Sequence, residues 1–198
     1  MPASTSKPLR AWQRMLSGRR LDLLEPSPLD IEIEDIAHGL ARVARWNGQT
    51  IGEHAFSVAQ HCVAVEELTT KLSRSIDRKG RLAALLHDAP EYVIGDLISP
   101  FKAAVGIDYK ALERRLLSAI HIRFGLPSQL SAELSALIKR ADTLCAYYEA
   151  TQLAGFSATE AKRFFGAPPK GLKAPRFGTL PPAKAQLEFL ERFRQLST

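Results

Sequence analysis

The stretch Arg81-Leu82-Ala83-Ala84-Leu85-Leu86-His87-Asp88-Ala89-Pro90-Glu91 decides how the chain is read. Its first half is an apolar run at helical spacing, and Asp77 stands where it can cap the start. Pro90 closes it, because proline lacks an N–H and its ring clashes with the preceding turn. The same proline fits the first turn of a new, short helix. Two side chains able to bind a metal, His87 and Asp88, therefore sit beside a helix break, where side chains can converge on a point. Neighbours on a helix point about 100° apart and share an ion only if it lies between them. Glu91 follows four residues after His87 and three after Asp88, on the same side if the turn persists. A carboxylate there can order or deprotonate a water, or protonate a leaving group.

The rest of the chain is helical in pattern nearly throughout. Residues 31–45 carry Ile31, Ile36, Leu40 and Val43 near a helical period, and Asn47-Gly48 makes a turn. Residues 53–73 read as a long helix opened by Glu53-His54, with Phe56, Ala59, Val63 and Leu68 on or near one face. Gly95, Pro100 and Gly106 mark a loop-rich connection. A helix opens at Asp108 with Leu112, Leu116, Ile120 and Phe124 at i, i+4 spacing, and Gly125 ends it. Pro127-Ser128 starts a long helix that runs to about Leu153, where Gly155 stops it. Asp142 lies inside that helix on an otherwise apolar stripe, a costly position unless the carboxylate is paired or bound to a cation. A short helix over 157–165, a Pro/Gly-rich loop over 167–182 and a last amphipathic helix with Leu187, Leu190 and Phe193 inward complete the chain. Apart from a weak extended stretch at Arg20 to Leu24 there is no strand alternation, and there is no internal repeat. The fold class is all-α.

Composition bounds the rest. The chain has 198 residues, 45% hydrophobic and 24% charged, which suits one ordinary core. No apolar run reaches membrane-spanning length, and no signal peptide is readable, so a soluble, cytoplasmic protein is expected. Cys62 and Cys145 each sit in an apolar helical pattern without C-x-x-C spacing, as small core residues in a reducing setting. The net charge of +6 comes entirely from residues 161–198, which hold eight Lys or Arg against two Glu. That basic tail is a diffuse scatter of charges, which reads as a solvated surface rather than a binding stripe and argues against nucleic acid as the partner.

With His54, His87-Asp88 and Asp142 in hand, the sequence resembles the HD-domain metal-dependent phosphohydrolases, whose pattern is H…HD…D over successive helices. More narrowly, it is similar to the bacterial YfbR-like 5′-deoxynucleotidase branch. The shared features are Arg45-Trp46, Glu53-His54 with Ser57-Val58-Ala59, His87-Asp88-Ala89-Pro90-Glu91, Gly95-Asp96, Pro100-Phe101-Lys102 and Ala141-Asp142. The resemblance covers roughly residues 30–155. It implies an all-α HD domain, placed here over 26–160 between an N-terminal extension (1–25) and a basic tail (161–198) whose terminal helix packs on the domain. It also implies that His54, His87, Asp88 and Asp142 hold one divalent metal ion, and that Glu91 acts on the attacking water or the leaving group. Arg45 and Lys102 would contact phosphate, Trp46 and Asp96 would shape the sugar pocket, and the branch often forms homodimers.

Two neutral imidazoles and two carboxylates cancel the charge of a divalent ion. Such a site still offers a Lewis acid to a phosphate oxygen and lowers the pKa of bound water. Mixed N/O donors suit Mn²⁺, Co²⁺, Fe²⁺, Ni²⁺ or Zn²⁺ better than Mg²⁺. The expected substrate is a (deoxy)nucleoside 5′-monophosphate. The competing readings are another small phosphate ester, including a di- or triphosphate or a cyclic nucleotide, and a non-catalytic nucleotide- or nucleic-acid-binding module. His61, seven residues after His54, reads as a packed or hydrogen-bonded helix histidine rather than a second metal ligand, and His38 and His121 read as structural or surface residues.

Overall fold

The computed structural model describes residues 11–96 and 107–197, with the side chains of residues 107 and 108 left aside. Among the described residues the order is a hairpin of β1 (Trp12–Arg14) and β2 (Arg20–Asp22), then α1 (Ile33–Leu40), α2 (Val58–Leu72), α3 (Arg78–Leu85), α4 (Glu91–Ile94), α5 (Ile107–Arg123), α6 (Ala132–Gln152), α7 (Ala158–Phe165) and α8 (Pro182–Ser197). The protein is thus an all-α bundle with one antiparallel two-stranded ribbon, in register Gln13 to Leu21. The weak extended signal at Arg20 is the second strand of that ribbon.

The helix starts follow local chemistry. The Asp77 carboxylate accepts from Gly80 N at 2.7 Å and caps α3. Ser57 and Gln60 form a reciprocal capping box that starts α2 at Val58. The helix expected over 53–73 is therefore shorter at its N-terminus, and residues 51–54 form a bend outside it. Likewise Ser131, not Pro127-Ser128, caps α6, its hydroxyl accepting from Leu134 N. Ser157 and Glu160 form a second capping box on α7.

α2 is the central helix. Val58, Ala59, Cys62, Val65 and Leu68 are buried along it, and it packs most extensively against α6, then against α3 and α8. α8 buries Ala185, Phe189, Phe193 and Leu196, while Leu187, expected inward, is half exposed. Its inward face is set by the 185/189/193/196 spacing, which rotates Leu187 to the outside. The terminal helix is anchored to α2 by Arg192, which donates to both Glu66 and Glu67. Glu66 is fully buried and also accepts from Arg81 Nε at 2.6 Å, so one carboxylate ties α2, α3 and α8.

The ribbon is held on the bundle by Leu21, which is fully buried, and by Asp35, which accepts from Ser17 N and Oγ. One close approach places α4. A Cβ on Gly39 would lie 2.7 Å from Tyr92 Cβ and 2.7 Å from its carbonyl oxygen, so α1 and α4 meet at a distance only glycine allows. That contact holds the segment His87–Glu91 against the core. Cys62 and Cys145 are free, buried thiols. Among the described residues no helix is long and apolar enough to cross a membrane.

Candidate metal centre

His61 lies on the α2 face that packs on α6 and is fully buried. Asp142 and Glu149 both project from α6, seven residues and two turns apart, on one face. The His61 ring lies between them. Its Nε2 is 3.3 Å from Asp142 Oδ1 and 3.4 Å from Asp88 Oδ2, and its Nδ1 is 2.5 Å from Glu149 Oε1.

His87 comes just past the C-terminus of α3. Its Nδ1 is 2.9 Å from Ala84 O. A carbonyl only accepts, so Nδ1 carries the proton and Nε2 is left as the donor atom, 3.3 Å from Asp88 Oδ2. One ligand atom from each of His61, His87, Asp88 and Asp142 lies within 4.8 Å of all the others. The geometry is that of four side chains, from α2, α6 and the turn after α3, meeting around a point.

Two observations test whether this group fits a cation. The Nε2 atoms of both histidines are buried and hydrogen-bonded to nothing among the described residues, although carboxylate oxygens stand 3.3–3.4 Å away. Buried polar atoms are otherwise almost always satisfied. The electrostatics point the same way. Burial pushes both imidazoles toward the neutral form, and Arg45 adds to this at His61, yet Glu149 at His61 and Asp88 at His87 outweigh it and hold both well above the usual histidine range. Burial raises the Asp88 and Asp142 carboxyls, yet the charge of His87 on Asp88 and the contact of His61 with Asp142 hold both well below the usual carboxylate range. The carboxylates that act on the imidazoles in this sense would act in the same sense on a cation placed between them. The donor set, two imidazoles and two carboxylates, suits a divalent first-row ion.

A recess of about 230 Å³ opens beside these groups, lined by His87, Asp88 and Asp142 together with His121, Ser135 and Lys139. His121, read from sequence as structural or surface, is buried in its wall. Lys139 Nζ lies 2.8 Å from Asp142 Oδ2 at the exposed rim.

His61, Cys145 and Glu149 form a second close group, but all three are buried. Cys145 Sγ donates to Glu149 Oε1 at 3.3 Å, and burial pushes the thiol up to about 12. Burial raises the Glu149 carboxyl, but Arg45 and His61 outweigh it and bring it down to about 2. With the thiol protonated and the carboxylate already satisfied, this group supports His61 from behind.

On the other side of Glu149 stands the turn Arg45–Gly48. Trp46 (φ 56°) and Asn47 (φ 51°) both adopt the left-handed conformation. For a residue such as Trp46 this costs of order 1–3 kcal/mol and persists only where surrounding contacts over-determine it. Those contacts are visible. Trp46 Nε1 donates to Glu149 Oε2 at 2.8 Å, and the indole packs against Phe156 and Phe165 at ring separations of 5.6 and 6.0 Å. Arg45 donates through Nε and Nη2 to Glu149 Oε2, each at 3.3 Å, and through Nη1 to Asp96 Oδ2 at 2.9 Å. Asp96 follows Gly95, whose φ of 77° ends α4 and turns the chain toward Arg45.

The expected site residues therefore fall into place unevenly. His87, Asp88 and Asp142 are brought together. His54 does not join them: it is half-buried in the bend before α2, outside the helix on which its two-turn spacing to His61 was based, and the histidine that stands with His87, Asp88 and Asp142 is His61. The signal that separates the two is Ser57-Val58-Ala59-Gln60, a capping box readable in the sequence that puts His54 before the helix. Arg45, Trp46 and Asp96 form one network. Glu91 is buried at the first turn of α4, its N–H donating to Asp88 O at 3.0 Å. Lys102 lies outside the described residues. Glu149, which the sequence reading passed over, sits on the same helical face as Asp142 and links both halves of the site.

A helical bundle that gathers a His/His-Asp/Asp cluster between its central helices is of the HD type. The chain matches the family described as 5′-deoxynucleotidase YfbR-like over residues 37–165, and it belongs to that family. It is 57% identical to an uncharacterized protein of Rhodobacter capsulatus over 188 residues, 94% of this chain and 96% of that protein. It is 31% identical over 170 residues to the uncharacterized protein YfdR of Escherichia coli K12, covering 85% of each. It is 29% identical over 117 residues to the 5′-deoxynucleotidase YfbR of Shigella flexneri, covering 50% of this chain and 58% of that protein.

Proposed function

We propose that the protein is a metal-dependent phosphohydrolase that removes phosphate from a (deoxy)nucleoside 5′-monophosphate, with His61, His87, Asp88 and Asp142 holding one divalent ion. The observation that carries this reading is the pair of buried, unsatisfied Nε2 atoms of His61 and His87 facing the two aspartates. Membership of a family described as 5′-deoxynucleotidase YfbR-like supports the substrate class. When bound, the ion would supply Lewis-acid stabilisation of phosphate charge and a water of lowered pKa.

The chain's own groups supply the rest. Arg45 has five N–H donors, of which three are engaged by Asp96 and Glu149 among the described residues. The remaining two would bind a phosphate oxygen, with the guanidinium already held in orientation by the two carboxylates, so little is lost in ordering it on binding. Trp46 and Asp96 flank that fork and would border the sugar. Glu91, one turn after Asp88, would hold a proton for the attacking water or the leaving oxygen. Uncatalysed phosphate-monoester hydrolysis is among the slowest reactions known, so charge stabilisation by metal and Arg45 is the main requirement. A soluble location with no membrane partner, and homodimer formation, are part of the same proposal.

A phosphate-release screen tests it. Purified protein freed of metal is given a panel of ribo- and deoxynucleoside mono-, di- and triphosphates and cyclic nucleotides, crossed with Mn²⁺, Co²⁺, Fe²⁺, Ni²⁺, Zn²⁺ and Mg²⁺. Inorganic phosphate from 5′-monophosphates with a transition metal is the expected result. Release of pyrophosphate or triphosphate, or opening of a cyclic ester, assigns a different phosphate ester. No turnover of any member removes the enzymatic reading.

A further inference from the structure

We propose that Glu149 is a positioning residue whose two carboxylate oxygens are divided between the two halves of the site: Oε1 sets the orientation and tautomer of His61, and Oε2 holds the Arg45–Trp46 turn. The inference rests on the reading of His61 as a metal ligand and goes beyond it.

The division is geometric. Oε1 is 2.5 Å from His61 Nδ1 and accepts from Cys145 Sγ at 3.3 Å. Oε2 accepts from Trp46 Nε1 at 2.8 Å and from Arg45 Nε and Nη2 at 3.3 Å. An ionised carboxylate only accepts, so the Nδ1 of His61 must carry the proton. That leaves the Nε2 lone pair directed at the point shared with Asp88, Asp142 and His87. His87 reaches the same tautomer through Ala84 O, and at His61 the Glu149 carboxylate stands in that role. Groups behind a metal-binding imidazole fix its ring and tautomer and typically matter 10–100-fold in metal affinity.

Because Glu149 is acceptor-only on both sides, its amide isostere separates the two roles. In Glu149→Gln, three N–H donors from Arg45 and Trp46 converge on the Oε2 position, so the amide oxygen stays there. The amide nitrogen then faces His61 and donates to Nδ1. The His61 proton is thereby displaced to Nε2, where it opposes a cation.

The test uses the full-length protein and zinc alone. In the zinc-loaded wild type, ¹⁵N–¹H correlation of the His61 ring is expected to show the proton on Nδ1 and Nε2 as the metal-bound nitrogen. The reverse assignment overturns the proposal without any variant. In competition with a chromophoric chelator, Glu149→Gln is expected to bind zinc 10–100-fold more weakly. Glu149→Asp, which keeps an acceptor-only group, is expected to lie closer to wild type. At saturating zinc, Glu149→Gln is expected to lose kcat and keep KM within about twofold, since the Arg45–Trp46 side retains its acceptor. Wild-type zinc affinity in Glu149→Gln, or equal losses in the Gln and Asp variants, assigns Glu149 a packing role and overturns the proposal. Failure of the metal reading itself looks different: the wild type, or His61→Ala, would then show no His61-dependent zinc binding at all.

Discussion

His61 and Asp142 face each other across the α2–α6 interface, Nε2 to Oδ1 at 3.3 Å, with the histidine fully buried and the aspartate at the edge of an open recess. That relationship joins the interior of the bundle to its surface at one point. The apolar packing of α2 on α6 that stabilises the fold also sets the distance between two of the proposed ligands, while His87 and Asp88 come from the turn that follows α3.

Arg45 is held by three hydrogen bonds in a fork that a lysine cannot reproduce. Arg45→Lys is therefore expected to lower kcat/KM by roughly 10²-fold, the scale of losing one charge-stabilising donor. Metal affinity should be unchanged. Steady-state kinetics beside a chelator titration checks this, and a lysine variant with wild-type kcat/KM would remove Arg45 from substrate contact.

Arg192 ties the terminal helix to Glu66, which is fully buried but retains Arg81 as a second partner. Arg192→Met is expected to destabilise the protein by about 1–3 kcal/mol, less than a fully orphaned buried charge would cost. Urea denaturation measures the change. Specific activity of the folded fraction should stay the same, because Arg192 touches neither half of the site.

Glu32 clips the N-terminal ribbon to the bundle, accepting from Arg19 Nε and Nη2 and from Arg123 Nη2. The Arg19 hydrogen bond, with Arg123 in support, holds the Glu32 carboxyl below the usual glutamate range. A lowered carboxylate pKa stabilises the folded state above the unfolded value and loses that contribution as pH falls through the folded one. The clip is partly exposed and screened by solvent, so its contribution is small. Hydrogen exchange in residues 12–22 is expected to speed up below about pH 4 while the α2–α6 core stays protected. Exchange in the ribbon that does not respond to pH across that window, once corrected for intrinsic rates, contradicts the clip.

The bundle was legible because its signals are local. Asp77, Pro90, Gly125 and Gly155 punctuate the chain by backbone chemistry that tertiary packing does not overrule, and the apolar periods of α2, α5 and α6 follow from which faces are buried. The His87-Asp88 pair and Asp142 stood out because metal-capable groups sat where burial would be costly. The choice between His54 and His61 needed one further local fact, the start of α2, and the Ser57–Gln60 box carried it. Glu149 was hidden for another reason. Its role depends on Arg45, Trp46 and His61 arriving from other segments, and no spacing along the chain records that meeting. The inward face of α8 differs at Leu187 because an amphipathic helix with several scattered apolar residues admits more than one face until its partners, here α1, α2 and α3, are known.

The most direct measurement is a zinc titration of the wild type, His61→Ala and His54→Ala proteins against a competing chelator, with helicity followed in parallel. The account predicts a single site per chain in the wild type, abolished in His61→Ala and preserved in His54→Ala, with all three proteins equally helical. Zinc binding that survives loss of His61 and disappears with His54 would contradict it.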